Sequence, residues 1–170
     1  VGGAGDDWLV SGTGGDLLAG DHIALDATIR GKLRWLQSTD QRNSDGGNDR
    51  LLAGSGDNVL VGGVAGDLLY AGSGRDQIIS DVGSIRWHGS GALQTAVTEP
   101  FDSLRSGGAD TVYASLFSTS SQMALELPQA LVDIDLAARY AGQGVDNNLV
   151  LAGSGADSIE TGNGNDIVAG

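Results

Sequence analysis

The sequence has no cysteine, only 2 prolines and few aromatic side chains, which make up 5% of its 170 residues. Without cysteine, disulfide bonds, thiolate zinc sites and a cysteine nucleophile are excluded. No apolar run approaches the roughly 20 residues that a membrane-spanning helix needs. Basic residues are scarce as well, with 9 Lys and Arg against 22 Asp and Glu. The resulting net charge of −13 argues against nucleic acid or an anionic membrane as a partner.

Sequence motifs of catalysis are also missing. The 2 histidines, His22 and His88, are far apart and form no His-Glu-x-x-His zinc motif. Ser90 is flanked by glycines but lacks the outer glycines of a nucleophile elbow. The only lysine, Lys32, does not follow a Gly-rich phosphate loop. We therefore expect that the chain is not an enzyme.

Glycine and aspartate are abundant, with 29 Gly, and with 19 Asp against 3 Glu. They recur in a nine-residue pattern, Gly-Gly-x-Gly-x-Asp-x-apolar-x. Clear copies span 2–10, 11–19, 62–70, 71–79, 152–160 and 161–169. The preference for Asp over Glu indicates that a short carboxylate is needed, as in tight turns and calcium loops.

An Asp or Asn recurs every nine residues within each block, and an aliphatic residue follows it two positions later. The polar positions are Asp7, Asp16, Asp49, Asn58, Asp67, Asp76, Asn148, Asp157 and Asp166. The aliphatic positions are Leu9, Leu18, Leu51, Leu60, Leu69, Ile78, Val150, Ile159 and Val168. The Gly-rich half of each nonapeptide favours a turn, and the apolar half favours a short strand whose middle residue points inward. Such strands are stable only when they stack on their neighbours.

This pattern resembles the RTX (haemolysin-type) calcium-binding nonapeptide repeat. The resemblance implies an all-β fold, a parallel β-roll or β-solenoid in which two nonapeptides form one coil. It also implies several calcium ions in the Gly-rich turns, and secretion into a calcium-rich extracellular setting without an N-terminal signal. The stretch Gly107-Gly108-Ala109-Asp110 is similar, more loosely, to a degenerate module embedded between such repeats.

We expect one continuous solenoid interrupted by two segments that break the nine-residue register. The predicted parts are RTX repeats at 1–21, 45–81 and 141–170, inserted arms at 22–44 and 82–105, and a degenerate strand-rich module at 106–140. Because the repeats run to both ends of the chain, it reads as a segment of a longer protein.

The expected calcium ligands are Asp7, Asp16, Asp49, Asn58, Asp67, Asp76, Asp110, Asn148, Asp157 and Asp166. With two nonapeptides in each coil, ions would lie between residues eighteen apart. This spacing gives the pairs Asp49 with Asp67, Asn58 with Asp76, and Asn148 with Asp166.

Other polar residues of the turns lack a partner at that spacing. Asp7, Asp16 and Asp157 need either an irregular coil or sequence outside the chain. An isolated Asp in such a turn can instead bond to its own backbone. The residues outside the register, which are Asp6, Asp57 and Asp146, are expected to be turn residues only.

The arms raise two questions that the sequence leaves open. Arg30, Lys32 and Arg34 alternate with less polar residues, which predicts a strand with one basic face. That face would either bind an acidic polymer or neutralise the acidic roll. Strands such as Trp8-Leu9-Val10 are apolar on both faces, so the arms or a neighbouring copy must cover them.

We expect a calcium-stabilised extracellular structural or adhesive segment of a very large secreted surface or filament-forming protein. Its partners would be neighbouring repeats or copies, and a cell surface or an extracellular polymer. The alternative is the C-terminal folding and export module of a type I-secreted toxin or enzyme whose catalytic domain lies outside this chain. An ice-binding solenoid would need a flat Thr and Asn ladder, and Thr13 and Asn163 are isolated.

Overall fold

The computed structural model describes residues 1–40, 42–98, 107–114, 147–162 and 164–170. Most of the predicted module at 106–140, and residues 141–146 of the last predicted repeat block, lie outside the described residues. The described residues form strands and a single 3₁₀ turn, Asn43–Asp45. None of their helices is long and apolar enough to cross a membrane.

Almost every strand of the repeats is three residues long, as the nonapeptide pattern predicts. The strands of the first half are β1 (Trp8–Val10), β2 (Leu17–Ala19), β3 (Ile23–Ala27), β4 (Leu33–Ser38), β5 (Arg50–Leu52), β6 (Val59–Val61) and β7 (Leu68–Tyr70). Those of the second half are β8 (Gln77–Ile79), β9 (Gly83–Trp87), β10 (Leu93–Thr98), β11 (Thr111–Tyr113), β12 (Leu149–Leu151), β13 (Ser158–Glu160) and β14 (Ile167–Ala169).

Ten of these strands, counted over the described residues, form two parallel sheets. Sheet A has the order β1-β5-β7-β11-β13, and sheet B has the order β2-β6-β8-β12-β14. Each coil of the chain contributes one strand to each sheet, and equivalent residues pair, as Leu51 does with Leu9 and with Leu69. The fold is therefore all-β and parallel, consistent with the predicted β-roll.

Glycines permit the tight stacking of the turns that join the two sheets. Gly56 and Gly74 occupy equivalent turn positions and have φ values of 132° and 145°, which side chains rarely adopt. A Cβ atom at Gly74 would overlap the carbonyl oxygen of Gly56 in the neighbouring coil. The glycines of the repeat thus let consecutive turns approach closely.

The core between sheets A and B consists of the middle residues of the strands and small residues beside them. Its members are Leu18, Leu51, Ala53, Leu60, Leu69, Ala71, Ile78, Val112, Ala114 and Val150, with Leu9 and Ile159 packed against them. This confirms the inward orientation predicted for the aliphatic positions. Val168 differs, because it lies in the outermost strand of sheet B and is 48% exposed.

A third sheet, sheet C, covers the outer face of sheet B. Strands β3 and β4 form one hairpin, β9 and β10 form another, and β4 pairs with β9 in an antiparallel sheet of order β10-β9-β4-β3. The residues between sheets B and C are Ala19, Leu36, Val59, Val61, Ile79, Ile85 and Trp87, flanked by Leu17, Ile23, Leu33, Ala96 and Leu151. The hairpins, rather than a neighbouring copy, bury this face of the roll.

The basic residues of the first hairpin do not form the predicted basic strand face. Strand β4 begins only at Leu33, so Arg30 and Lys32 lie in the hairpin turn, and that prediction was wrong. Gly31, with φ of 77°, allows the chain to reverse there, which the alternation of charges did not reveal. Arg34 is in the strand and pairs with Asp26 of the same hairpin at 3.2 Å.

Candidate calcium sites

Two columns of polar side chains run along the two turn edges of the roll, each residue just before a strand. Before the strands of sheet A they are Asp7, Asp49, Asp67, Asp110 and Asp157. Before the strands of sheet B they are Asp16, Asn58, Asp76, Asn148 and Asp166. We call the first column the Asp edge and the second the mixed edge.

Hydrogen bonds connect the residues of the Asp edge from coil to coil. The backbone N–H of Asp7 donates to Asp49 Oδ1 at 2.7 Å, and that of Asp49 donates to Asp67 Oδ1 at 2.8 Å. Asp67 donates in the same way to Asp110 at 2.8 Å, and Asp110 to Asp157 at 3.1 Å. Each carboxylate therefore holds the backbone of the preceding coil.

The pairs predicted from the spacing of eighteen residues are adjacent in the structure. Backbone-to-side-chain hydrogen bonds join Asp49 with Asp67, Asn58 with Asp76, and Asn148 with Asp166.

The remaining predicted ligands find their neighbours across irregular coils. Asp7 meets Asp49 and Asp16 meets Asn58 at sequence separations of 42, and Asp110 meets Asp157 at 47. Of the two alternatives, an irregular coil within the chain therefore supplies a neighbour for Asp7, Asp16 and Asp157. Their side chains occupy the same columns as the regular pairs.

The second oxygen of four of these carboxylates is buried and has no hydrogen-bond partner within the described part of the chain. These atoms are Oδ2 of Asp7, Asp16, Asp49 and Asp67. A buried carboxylate is unfavourable unless it is paired, coordinates a metal or takes up a proton. These oxygen atoms are therefore candidates for cation ligands.

Burial and crowding raise the pKa of three carboxyls on the Asp edge, those of Asp49, Asp67 and Asp110. Burial, more than the nearby charges of Asp110, Asp49 and Asp21, raises the pKa of Asp67 to about 10. The pKa values of Asp49 and Asp110 are raised to about 6, again mainly by burial and further by neighbouring carboxylates. Without a cation, the folded roll disfavours ionised carboxylates at these positions.

Backbone carbonyl oxygens lie beside the unpaired carboxylate oxygens. A Cβ atom at Gly62 would overlap both Asp67 Oδ2 and the carbonyl oxygen of Ser80. At Gly20 it would overlap Asp49 Oδ2 and lie 2.7 Å from the carbonyl oxygen of Gly62. Two electron-rich groups thus face the same small space in successive coils.

This donor set fits calcium, which binds six to eight oxygens from carboxylates and carbonyls. Among the described residues, no three His, Cys, Asp or Glu side chains are grouped so that they could hold a metal ion by themselves. A bound ion would therefore need backbone carbonyl oxygens in addition to Asp side chains. Asp49 with the Gly62 carbonyl, and Asp67 with the Ser80 carbonyl, are the residues that would hold it.

Asp6 and Asp57, expected to be turn residues, bond to the backbone of the following coil. Asp6 Oδ1 accepts the N–H of Asn48 at 2.8 Å. Asp57 accepts the N–H of Arg75 at 3.0 Å and its guanidinium at 2.7 Å, and this pairing lowers the pKa of Asp57. Asp146, the third such residue, lies outside the described residues.

Two buried carboxylates of the turns, Asp21 and Asp81, were missed by the sequence reasoning. Asp21 accepts the N–H of Gly47 at 3.1 Å and that of Val64 at 2.8 Å, and Asp81 accepts the N–H of Ser154 at 2.6 Å. Both are buried, which raises their pKa values to about 7. Each lies five residues after a register Asp and just before a hairpin, which is the signal that the nine-residue pattern concealed.

Comparison with known families agrees with this geometry. The model of the RTX calcium-binding nonapeptide repeat, in 4 copies, matches residues 1–21, 43–78 and 143–170, together half of the chain. No curated protein and no solved structure matches the chain. Repeats of this kind are typical of secreted proteins. With its matching repeats, parallel sheets and Asp-lined turns, the chain belongs to the RTX calcium-binding nonapeptide repeat family.

Proposed function

We propose that this chain is a calcium-stabilised structural and adhesive segment of a large secreted protein at the cell surface or in a filament. The proposal rests on the buried Oδ2 atoms of Asp7, Asp49 and Asp67 on the Asp edge, which lack hydrogen-bond partners. Calcium ions would supply the positive charge that binds one coil to the next. Folding of the roll would then depend on the calcium concentration outside the cell.

Calcium binding at one site is expected to stabilise the fold only slightly, but the sites of the whole column together stabilise it substantially. Extracellular calcium modules bind with Kd values of roughly 10⁻⁴–10⁻³ M. At about 1 mM calcium, each such site adds about 0.4–1.4 kcal/mol to the free energy of unfolding. Since domains are stable by only about 5–15 kcal/mol, several sites decide whether the roll is folded.

The distribution of side chains supports a structural role rather than catalysis. The buried carboxylates of the Asp edge stand in turns, where they bond to the backbone of adjacent coils. An open strand edge favours partners: β10 is at the border of sheet C, and its Leu93 and Val97 are exposed. We propose neighbouring repeats or copies, together with a cell surface or an extracellular polymer, as its partners.

A calcium titration of the chain tests the stabilisation. We expect circular dichroism to show strand formation, and small-angle scattering to show compaction, as free calcium rises from about 10⁻⁴ to 10⁻³ M. Magnesium at the same concentrations is the control, because it prefers strict octahedral geometry and retains its water. Equal strand content in calcium and in excess EGTA would refute the proposal.

The adhesive part has its own test. Beads coated with the chain should cluster in ~2 mM calcium, which is twice the upper end of the expected Kd range, and disperse when EGTA is added. Beads coated with an unrelated acidic protein provide the control for calcium bridging between negative surfaces. If only nonspecific clustering is found, the segment is structural but not adhesive.

A further inference from the structure

The two edges of the roll differ in their chemistry. Every column residue of the Asp edge is an aspartate, whereas the mixed edge alternates between aspartate and asparagine. In order along the roll, the mixed edge has Asp16, Asn58, Asp76, Asn148 and Asp166. Each gap on the mixed edge thus lies between one carboxylate and one amide.

The first oxygen has the same role on both edges. Asn58 Oδ1 accepts the backbone N–H of Asp16 at 3.1 Å, and Asn148 Oδ1 accepts that of Asp76 at 3.0 Å. This matches Asp67 Oδ1, which accepts the N–H of Asp49 at 2.8 Å. The two edges therefore differ in the second side-chain atom, which is Nδ2 in Asn and Oδ2 in Asp.

The amide nitrogen of Asn58 is surrounded by carbonyl oxygens. Nδ2 donates to the carbonyls of Gly54 at 3.1 Å, Gly56 at 2.9 Å and Ala71 at 2.9 Å. The reverse orientation of the amide would direct its oxygen at three carbonyl oxygens and lose the bond to Asp16. The contacts therefore fix the orientation of this amide.

Asn148 repeats the arrangement at the next amide of the column. Its Nδ2 donates to the carbonyls of Ala114 at 3.3 Å and Thr161 at 3.4 Å. Asn148 is 2% exposed and Asn58 is 1% exposed, so water does not satisfy these groups.

On the Asp edge, the carbonyl at the equivalent position faces a carboxylate oxygen instead of an amide donor. Ala71 is the first residue after strand β7, in the coil that follows Asn58, and Ser80 is the first residue after β8, in the coil that follows Asp67. The Ser80 carbonyl lies beside Asp67 Oδ2 at the space that a Cβ of Gly62 would fill. The amide group of Asn58 and the cation proposed at Asp67 would thus each contact the carbonyl oxygen at this position.

We propose that the amides of Asn58 and Asn148 replace calcium ions in the turns of the mixed edge, so that calcium is bound mainly along the Asp edge. This inference rests on the proposed calcium-dependent function and assigns its sites to one side of the roll. At Asn58 and Asn148 the mixed edge is then held by hydrogen bonds that need no metal, whereas Asp16 Oδ2 on the same edge is still a candidate ligand. Asn58 and Asn148, expected to be ligands, act instead as substitutes for the ion.

The first test converts an amide of the mixed edge into a carboxylate in the full chain. Asn58→Asp should bind one further calcium ion per chain in isothermal titration calorimetry, and should retain less strand signal in EGTA than the wild type. Asn147→Asp is the matched control, because residue 147 is exposed and its Oδ1 accepts a bond that a carboxylate also accepts. It adds the same charge and should leave the stoichiometry unchanged.

The second test makes the reverse change on the Asp edge. Asp67→Asn should bind one calcium ion fewer and retain more strand signal in EGTA, because its amide can donate to the Ser80 carbonyl. An unchanged stoichiometry in Asn58→Asp overturns the inference, and if that variant does not fold, an unchanged stoichiometry in Asp67→Asn does so. A wild-type chain that binds no calcium refutes the proposed function instead.

Discussion

Asp57 and Asn58 are adjacent in sequence, but their side chains bond to opposite neighbours in the stack. Asp57 is exposed and accepts the N–H of Arg75 in the following coil, whereas Asn58 is buried and accepts the N–H of Asp16 in the preceding coil. The position in the nonapeptide, more than the type of side chain, therefore decides which coil is held. Only the buried position brings a polar atom to the carbonyl oxygens of the turn.

The pH dependence of the calcium-free chain follows from the raised pKa values. In the folded state the pKa is about 10 for Asp67 and about 6 for Asp49, above the ordinary 3.8. The folded chain then binds more protons than the unfolded chain, so stability increases on acidification and decreases as the pH rises through these values. We expect the calcium-free chain to melt at a higher temperature at pH 4.5 than at pH 8, with both values lying roughly within this window.

The measurement uses chain stripped of metal on a chelating resin, since EGTA binds calcium poorly in acid. In the presence of calcium the direction should reverse, because protons compete with the ion for the same carboxylates. A calcium-free melting temperature that rises with pH would contradict the raised pKa values.

A methyl group at Gly62 should interfere with the proposed site. Because its Cβ would overlap Asp67 Oδ2 and the Ser80 carbonyl, we expect Gly62→Ala to weaken calcium binding and cost about 1–3 kcal/mol in calcium. Gly12→Ala is the control, since no atom lies within 4 Å of its Cβ and its φ is ordinary. Equal calcium affinity and thermal stability for the two variants would place the metal elsewhere.

Sequence alone predicted the neighbours within each column because two nine-residue repeats form one coil, so residues eighteen apart lie above one another, as Asp49 and Asp67 do. It could not predict the bond of Asp7 to Asp49, since the length of the intervening hairpin hides the register. It could not show that the amide nitrogen of Asn58 faces the Ala71 carbonyl, because the orientation of the amide is visible only in three dimensions. Asp21 and Asp81 were overlooked because they stand where the regular repeat has glycine.

At the scale of elements, the two hairpins bury the outer face of sheet B by joining each other through β4 and β9. Strands that are apolar on both faces indicated that some cover was needed, but left open whether the arms or a neighbouring copy provided it. The pairing of Leu36 with Ile85 across the two hairpins depends on segments almost fifty residues apart. Such long-range pairing leaves no local signature in the sequence.

Truncation of Leu36 tests this packing. Leu36 is fully buried between sheets B and C, so Leu36→Ala should reduce the free energy of unfolding in calcium by about 2–5 kcal/mol. Leu25, its partner in strand β3, is 45% exposed, and Leu25→Ala should cost less than about 1 kcal/mol. Equal losses in chemical denaturation would mean that sheet C does not pack on the roll in solution.

The whole molecule carries a net charge of −13, and two kinds of repulsion oppose its folding without calcium. Exposed charges repel through water and are screened by salt, but the buried Oδ2 atoms are not reached by that screening. Sodium chloride at about 1 M, where the screening length is near 3 Å, should therefore restore much less strand content than millimolar calcium.

Circular dichroism of the calcium-free chain across a salt series measures this difference. Potassium chloride is the companion series, because it screens equally and coordinates differently. Full recovery of the strand signal in salt alone would show that diffuse charge, and not specific coordination, governs folding.

The hairpins leave the roll at alternate turns of the Asp edge, before Asp49 and before Asp110, and the turn of Asp67 between them has none. A hairpin is two strands wide, and two coils advance by the same two strand spacings, about 9.5 Å. One hairpin of sheet C therefore covers the same length along the roll as two coils beneath it. A layer built by this rule lengthens without accumulating mismatch, however many coils it spans.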